Sequence, residues 1–319
     1  EHTLTAREGV RTYAVVGVIF VEQPGNLPPP PEGRVAAVDV AFAAGDGYER
    51  VTVPFLDALG DRLALWVDHH EHPVGWARYR DDPRFILVPN REAHACPELV
   101  TEELVIRTGP VDNVIAHADF DGLLSAVKFL RKGIPPWPEA DEDARAVDSP
   151  GRGHSLSARA RLYVAALDEA AAALRSKQRD SLRQELVEAL VQSPARIPPA
   201  LEARLEKLAR EHEETLAPAE DLARTAREEA RGVLVVRVPK DLGRPVKKAL
   251  LSRLEERAPV GVVVEGRAVT AATFREDLDL SSVPQLAAGR SDYRFAQVDD
   301  AGRAIVEGLG RLVSGSAGR

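Results

Sequence analysis

The chain contains no methionine and only one cysteine, Cys96. One cysteine excludes an intramolecular disulfide and fits a reducing compartment. Aromatic residues make up only 5% of the 319 positions, which argues against the aromatic-lined channel that grips long single strands. Long apolar runs are also missing. The longest, YAVVGVIFV at residues 13–21, falls well short of the roughly 20 residues that span a bilayer. The opening stretch, EHTLTAREG, has no basic segment of the kind that begins a signal peptide. Together these absences lead to the expectation of a cytoplasmic protein with no membrane partner, and the missing methionine leaves the encoded start open. No dinucleotide-binding glycine pattern, P-loop or zinc-ligand spacing occurs. Positive charge is scarce as well: 42 Lys and Arg against 50 Asp and Glu give a net charge of −8. That argues against an extended grip on duplex DNA, whose affinity comes from neutralising phosphates. A small anionic substrate is still compatible with this balance if a bound cation supplies the missing charge.

Chemistry-bearing residues cluster in AHADFDGLLSAVKFL, residues 116–130. The preceding VDNVIA reads as a short buried strand. Leu123, Val127 and Leu130 then recur at helical spacing, with Ala126 beside them. On the turn between stand His117, Asp119 and Asp121, and Gly122 is expected to let the backbone bend sharply. Either aspartate alone reads as a helix cap or a turn residue, but three potential ligands in five positions exceed what a cap needs. Without a cation they would repel one another. Ser125 has no neighbouring base and reads as a packed helix residue. A second cluster follows the apolar run of LALWVDHHEHP, residues 63–73. It holds Asp68, His69, His70 and His72, closed by Pro73. Imidazole is the commonest side-chain metal ligand, and Asp68 is placed to orient a ring.

Taken in order, strands are expected at 13–21, at 34–40 ending near Asp39, at 63–68, at 84–89 and before His117. A helix is expected at 95–105, and a short strand at 144–148 ending in Asp148. Strands alternating with helices predict an α/β fold with a mostly parallel, doubly wound sheet. In such sheets ligands bind beyond the carboxyl ends of the strands, so four strand ends carrying Asp39, the 68–70 cluster, the 117–121 cluster and Asp148 would meet at one edge. Residues 155–231 are rich in Ala, Leu, Glu and Arg at helical spacing and read as a connector with solvated charged faces. Residues 232–319 return to alternating strands and helices, a second and smaller α/β domain. The expected organisation is therefore a metal-binding α/β domain over 1–154, helices over 155–231 and a second α/β domain over 232–319.

AHADFDGLLSA resembles the H-x-D-x-D-G-x-x-S-A motif of the DHH phosphoesterases, a family that includes RecJ-type exonucleases and nanoRNA-degrading oligoribonucleases. WVDHHEHP resembles the motif that names that family. By the same resemblance Asp39 stands for the lone acid of a second motif and Asp148, in AVDSPG, for that of a fourth. The segment from 232 to about 296 resembles the associated DHHA1 domain, with FREDLDLSSV similar to its arginine-bearing strand and following turn; this implies a catalytic domain over 1–154 and a substrate-binding domain over 232–319. The order of the first two clusters is reversed relative to the family, which implies a circularly permuted catalytic domain. The glycine-rich stretch ending in histidine that grips substrate there reads LAAGRSDYRF here and lacks the histidine.

The resemblance implies two divalent cations, usually Mn²⁺, in keeping with a carboxylate and imidazole donor set. His117, Asp119 and Asp39 would hold one ion. Asp121, His69 and Asp148 would hold the other, with Asp39 bridging. His70 would contact the phosphoryl oxygens, and Asp68 would hold a ring in place. Arg275 and Arg290 are candidates for a terminal phosphate, and His154 for the cleft. The expected activity is hydrolysis of short oligonucleotides or a dinucleotide by an activated water, with oligomerisation left open. The competing readings are a RecJ-type exonuclease on single-stranded DNA and a silent nucleotide sensor or scaffold on the same fold.

Overall fold

A computed structural model describes residues 17–148, 155–239, 242–275, 277–287, 290–291, 295–298 and 303–316. The chain folds as two compact units, one built from residues 1–141 with 180–197, the other from 142–179 with 198–319.

The first unit is a parallel sheet of five strands. In chain order it runs β1 (Gly17–Val21), β2 (Val35–Val38), α1 (Val53–Leu59), β3 (Leu63–Asp68), α2 (Pro73–Tyr79), β4 (Phe85–Leu87), α3 (Glu102–Thr108), β5 (Asn113–His117) and α4 (Phe120–Leu130). Across the sheet the order is β1-β5-β2-β3-β4, and every pairing is parallel. The chain steps outward from β2 to β4, then crosses back to place β5 beside β2. That reversal is the switch point at which open α/β sheets form clefts.

Alternation along the strands divides the core. Val35 and Ala37 of β2, Trp66 of β3 and Ile115 of β5 face a cluster completed by Phe55, Leu56 and Leu59 of α1. Helix α4 packs against β5 and β2, burying Leu123, Leu124 and Val127. The expected helix at 95–105 splits into a 3₁₀ turn, Cys96–Leu99, and α3. Pro97 lies inside the turn, and Thr101 caps α3 by accepting from the Leu104 N–H.

Helix α7 (Ser176–Gln192) returns to this unit over most of its length. Its Gln184 donates to the Val18 carbonyl of edge strand β1. Arg183, buried, pairs with Glu22 at 2.8 Å.

Asp148 departs from expectation. It ends a helix, α5 (Ala140–Asp148), not a strand. The stretch ADEDARAVD is made mostly of helix formers, and Ala140 and Ala144, one turn apart, are its buried apolar positions. The short apolar pair before Asp148 is the misleading signal.

The second unit carries α6 (Ala158–Ala173) and α8 (Pro199–Arg224), which pack on each other. Beyond them come β6 (Arg227–Ala230), β7 (Val233–Val238), α9 (Arg244–Glu255), β8 (Val260–Glu265), β9 (Ala268–Ala272), α10 (Pro284–Ala287), β10 (Arg290–Ser291), β11 (Phe295–Val298) and α11 (Arg303–Ser316). The six strands form one sheet, β10-β11-β9-β8-β7-β6. Only β7 and β8 run parallel, as expected for strands joined through α9. Among the described residues no helix is long and apolar enough to cross a membrane.

Gly122 has a different role from the one its sequence context suggests. It lies inside α4, and its φ is not among the positive ones. A Cβ there would lie 2.3 Å from the His117 carbonyl oxygen, so its job is to let α4 sit directly on the end of β5. Gly122→Ala is expected to lower stability by about 1–3 kcal/mol, the usual cost of overpacking a closed contact. Urea denaturation reads this as a lower midpoint.

Candidate metal centre

Strand register assembles the site. Val38 of β2 pairs with Ala116 of β5 and with Val67 of β3. The next residues on the three strands, Asp39, His117 and Asp68, therefore stand side by side at the carboxyl edge. The Asp39 N–H donates to the Val67 carbonyl at 2.9 Å, and its φ is +59°. That left-handed conformation is uncommon for residues other than glycine, though aspartate tolerates it better than most. It lifts the carboxylate out of the strand's alternation at the point where three strands end.

The neighbouring groups are withdrawn from solvent. Asp39, Asp68 and His69 are each 1% exposed, and Asp121 is 2% exposed. His69 Nδ1 lies 3.0 Å from the Ala93 carbonyl. A carbonyl only accepts, so this nitrogen carries the hydrogen, and Nε2 is the edge of the ring that a cation would meet. Nε2 faces Asp39 Oδ1 and Asp121 Oδ2, each at 3.4 Å. Asp121 Oδ2 also accepts from the Cys96 N–H at 3.1 Å.

His117 and Asp119 complete the near edge. His117 Nδ1 lies 2.9 Å from Asp119 Oδ2 and 3.8 Å from Asp39 Oδ2. Asp119 divides its oxygens between two tasks, because Oδ1 accepts from the Gly122 N–H at 2.9 Å and caps α4. The crowded surroundings push this carboxyl upward, but the hydrogen bond and charge of His117, with the Gly122 N–H, hold it below the usual carboxylate range.

His70 sits at the mouth, with its side chain 39% exposed. Its Nδ1 is 2.8 Å from Asp68 Oδ1 and 3.7 Å from Asp39 Oδ1. Burial of part of the ring pulls its pKa down; the hydrogen bond to Asp68 and the charges of Asp68 and Asp39 outweigh that and raise it to about 9. Bound cations would oppose this shift.

The donor set suits hard or borderline divalent ions. Two groups of potential ligand atoms within the first unit lie close enough to share one cation: Asp39 with His69 and His70, and Asp39 with His117 and Asp119. Three buried carboxylates in one corner are costly unless opposite charge joins them. Burial, then the charges of Asp39, Asp121 and Asp68, push the Cys96 thiol well up, and Cys96 is in neither group. What remains is oxygen and imidazole, the set that divalent ions such as Mn²⁺ accept.

Asp39, Asp68, His69, His70, His117, Asp119 and Asp121 are thus brought together within the first unit. Of the other expected site residues, Asp148 belongs to the second unit, and His154 falls outside the described residues. Arg290 begins β10, and its side chain is likewise outside them. Arg275 follows β9 in place of lying on a strand, and its guanidinium forks onto Asp277, with Nε 2.8 Å from Oδ1. His72 caps α2 by accepting from the Gly75 N–H at 3.0 Å, and its ring packs on Tyr48 with centroids 4.7 Å apart. The Ala93 carbonyl and the Cys96 amide are contributors that the sequence does not mark, since a backbone group has no side-chain signature.

No family model matches the chain, and no curated protein matches it either. Among solved structures, exonuclease RecJ bound to manganese superposes with a TM-score of 0.43 at 13% identity, over 89% of this chain and 75% of that one. A pGpG-specific phosphodiesterase, PggH, from a Vibrio species gives a TM-score of 0.43 at 13% identity, over 90% and 99%. RecJ with Mn²⁺ from Thermus thermophilus gives 0.40 at 13% identity, over 89% and 45%. At such scores and identities these likenesses assign nothing by themselves, and the site rests on its own geometry.

Proposed function

We propose that the protein is a divalent-metal-dependent phosphodiesterase that hydrolyses short oligonucleotides or a dinucleotide. The observation that carries this reading is the gathering of buried Asp39, Asp68, Asp121 and His69 at the carboxyl edge of adjacent parallel strands. In the proposal Asp39, His117 and Asp119 hold one cation, and Asp39, His69 and Asp121 a second. Asp148 is added to the second on the strength of its motif. Such cations, when bound, acidify water and neutralise phosphoryl charge.

The chain's own residues do the rest. The Ala93 carbonyl keeps His69 in the tautomer whose Nε2 faces the acids. Asp68 holds His70 by Nδ1 and favours its protonated form. The opposite edge of that ring can then donate to a phosphoryl oxygen as negative charge grows there. The net charge of −8 supports a small substrate over a long polyanion track.

Three outcomes test the proposal. With Mn²⁺, di- to pentanucleotides are expected to release mononucleotides, and His69→Ala to reduce the rate at least ~100-fold, at the upper end for a lost metal-site group. Wild type and variant equally inert would end the proposal. In calorimetry Mn²⁺ is expected to raise the melting temperature by several degrees, from about 2.7 kcal/mol of linkage at 100 times Kd. Asp39→Asn, whose side chain also tolerates the left-handed backbone, is expected to stabilise the metal-free protein and abolish that rise. Asp68→Asn is expected to cost about 10- to 100-fold in activity. Because Asp68 raises the pKa of His70, its loss moves the alkaline limb of the kcat/KM profile to lower pH, and an unmoved limb would exclude His70 as the titrating group.

A further inference from the structure

Beside the candidate centre lies a cleft of about 460 Å³ that the roles above leave unused. Trp76 and Tyr79 of α2 and Phe85 of β4 form its apolar floor, and Arg80 and Arg91 are exposed at its margin. The Tyr79 and Phe85 rings are stacked, centroids 4.2 Å apart with 9° between planes, so the floor is braced from below. The cleft touches the centre through the chain on both sides. Glu71, which lines it, follows His70 directly. Arg91, which also lines it, follows Asn90, whose side-chain amide is 3.3 Å from His69 Nδ1.

An acidic chain poor in aromatics has here gathered flat rings and two guanidinium groups next to the acids. Rings offer a stacking face to any base, and guanidinium groups match phosphate oxygens and stack on π systems. A purely apolar occupant would make no use of the arginines, and a bare anion would make none of the rings. A nucleotide uses both.

We propose that this cleft is a nucleobase subsite. It takes the base of the nucleotide whose phosphate lies at the acid and imidazole cluster, with Arg80 and Arg91 facing a flanking phosphate. The proposal rests on the phosphodiesterase reading for its placement of that phosphate. It adds that the substrate is recognised through its base and not through phosphate alone.

The test separates the two. Trp66 is 1% exposed and Trp137 6%, so Trp76 is the tryptophan able to report a ligand by fluorescence. Without metal, adenosine monophosphate is expected to quench the emission, while ribose 5-phosphate and inorganic phosphate leave it unchanged. Trp76→Phe is expected to remove the signal. With Mn²⁺, Trp76→Ala is expected to reduce kcat/KM for a dinucleotide about tenfold or more, the range for one lost base stack. The same variant is expected to keep the wild-type far-UV circular dichroism and melting temperature, which shows that it is folded. Arg91→Glu, a surface change, is expected to raise KM for the dinucleotide only. No quenching by adenosine monophosphate, quenching that survives in Trp76→Phe, or an unchanged kcat/KM for the dinucleotide in folded Trp76→Ala would overturn the subsite. Absence of metal-dependent hydrolysis of the dinucleotide by wild type would instead overturn the phosphodiesterase reading, with the fluorescence titration still deciding the subsite.

Discussion

Repulsion among buried acids is the constraint around which the first unit is arranged. Asp39, Asp68 and Asp121 are removed from water in one corner, and the surrounding chain works to make that tolerable. His70 takes one oxygen of Asp68, the Cys96 amide takes one of Asp121, and His69 is pinned by the Ala93 carbonyl so that Nε2 turns inward. A protein selected only for stability would have put aliphatic side chains there, since replacing buried charge by well-packed apolar groups is often neutral or favourable. The arrangement makes sense as a vessel for positive charge supplied from outside the chain.

Much of this is legible in the sequence because it is carried by side chains next to one another on strand ends. Asp68, His69 and His70 form one run, and His117, Asp119 and Asp121 another, and a parallel sheet brings such runs to a common edge without further information. Asp39 is legible for the same reason, as an acid near the end of a short apolar strand. Its left-handed backbone is not, since no local pattern distinguishes it. The fold class follows from alternation alone.

What escapes a reading of the sequence has identifiable causes. Asp148 reads as a strand end because two apolar residues in a charged stretch carry almost no periodicity, and helix propensity decides the matter. Gly122 resembles a turn glycine, whereas close contact with the His117 backbone is what excludes a side chain. Arg275 has the right chemistry for phosphate, yet Asp277 two residues on claims its fork. The aromatic cleft is invisible in a composition that counts aromatics over the whole chain, because Trp76, Tyr79 and Phe85 come together only when α2 folds against β4.

The return of α7 to the first sheet carries a consequence for biosynthesis. Residues 180–197 complete a unit whose other part ends at Asp141, and Gln184 engages the open side of β1. On the ribosome, the first unit waits for this segment while the intervening residues 142–179 emerge, a window in which an incomplete unit can associate with a neighbouring nascent chain. Translation pauses before residue 180 would lengthen that window.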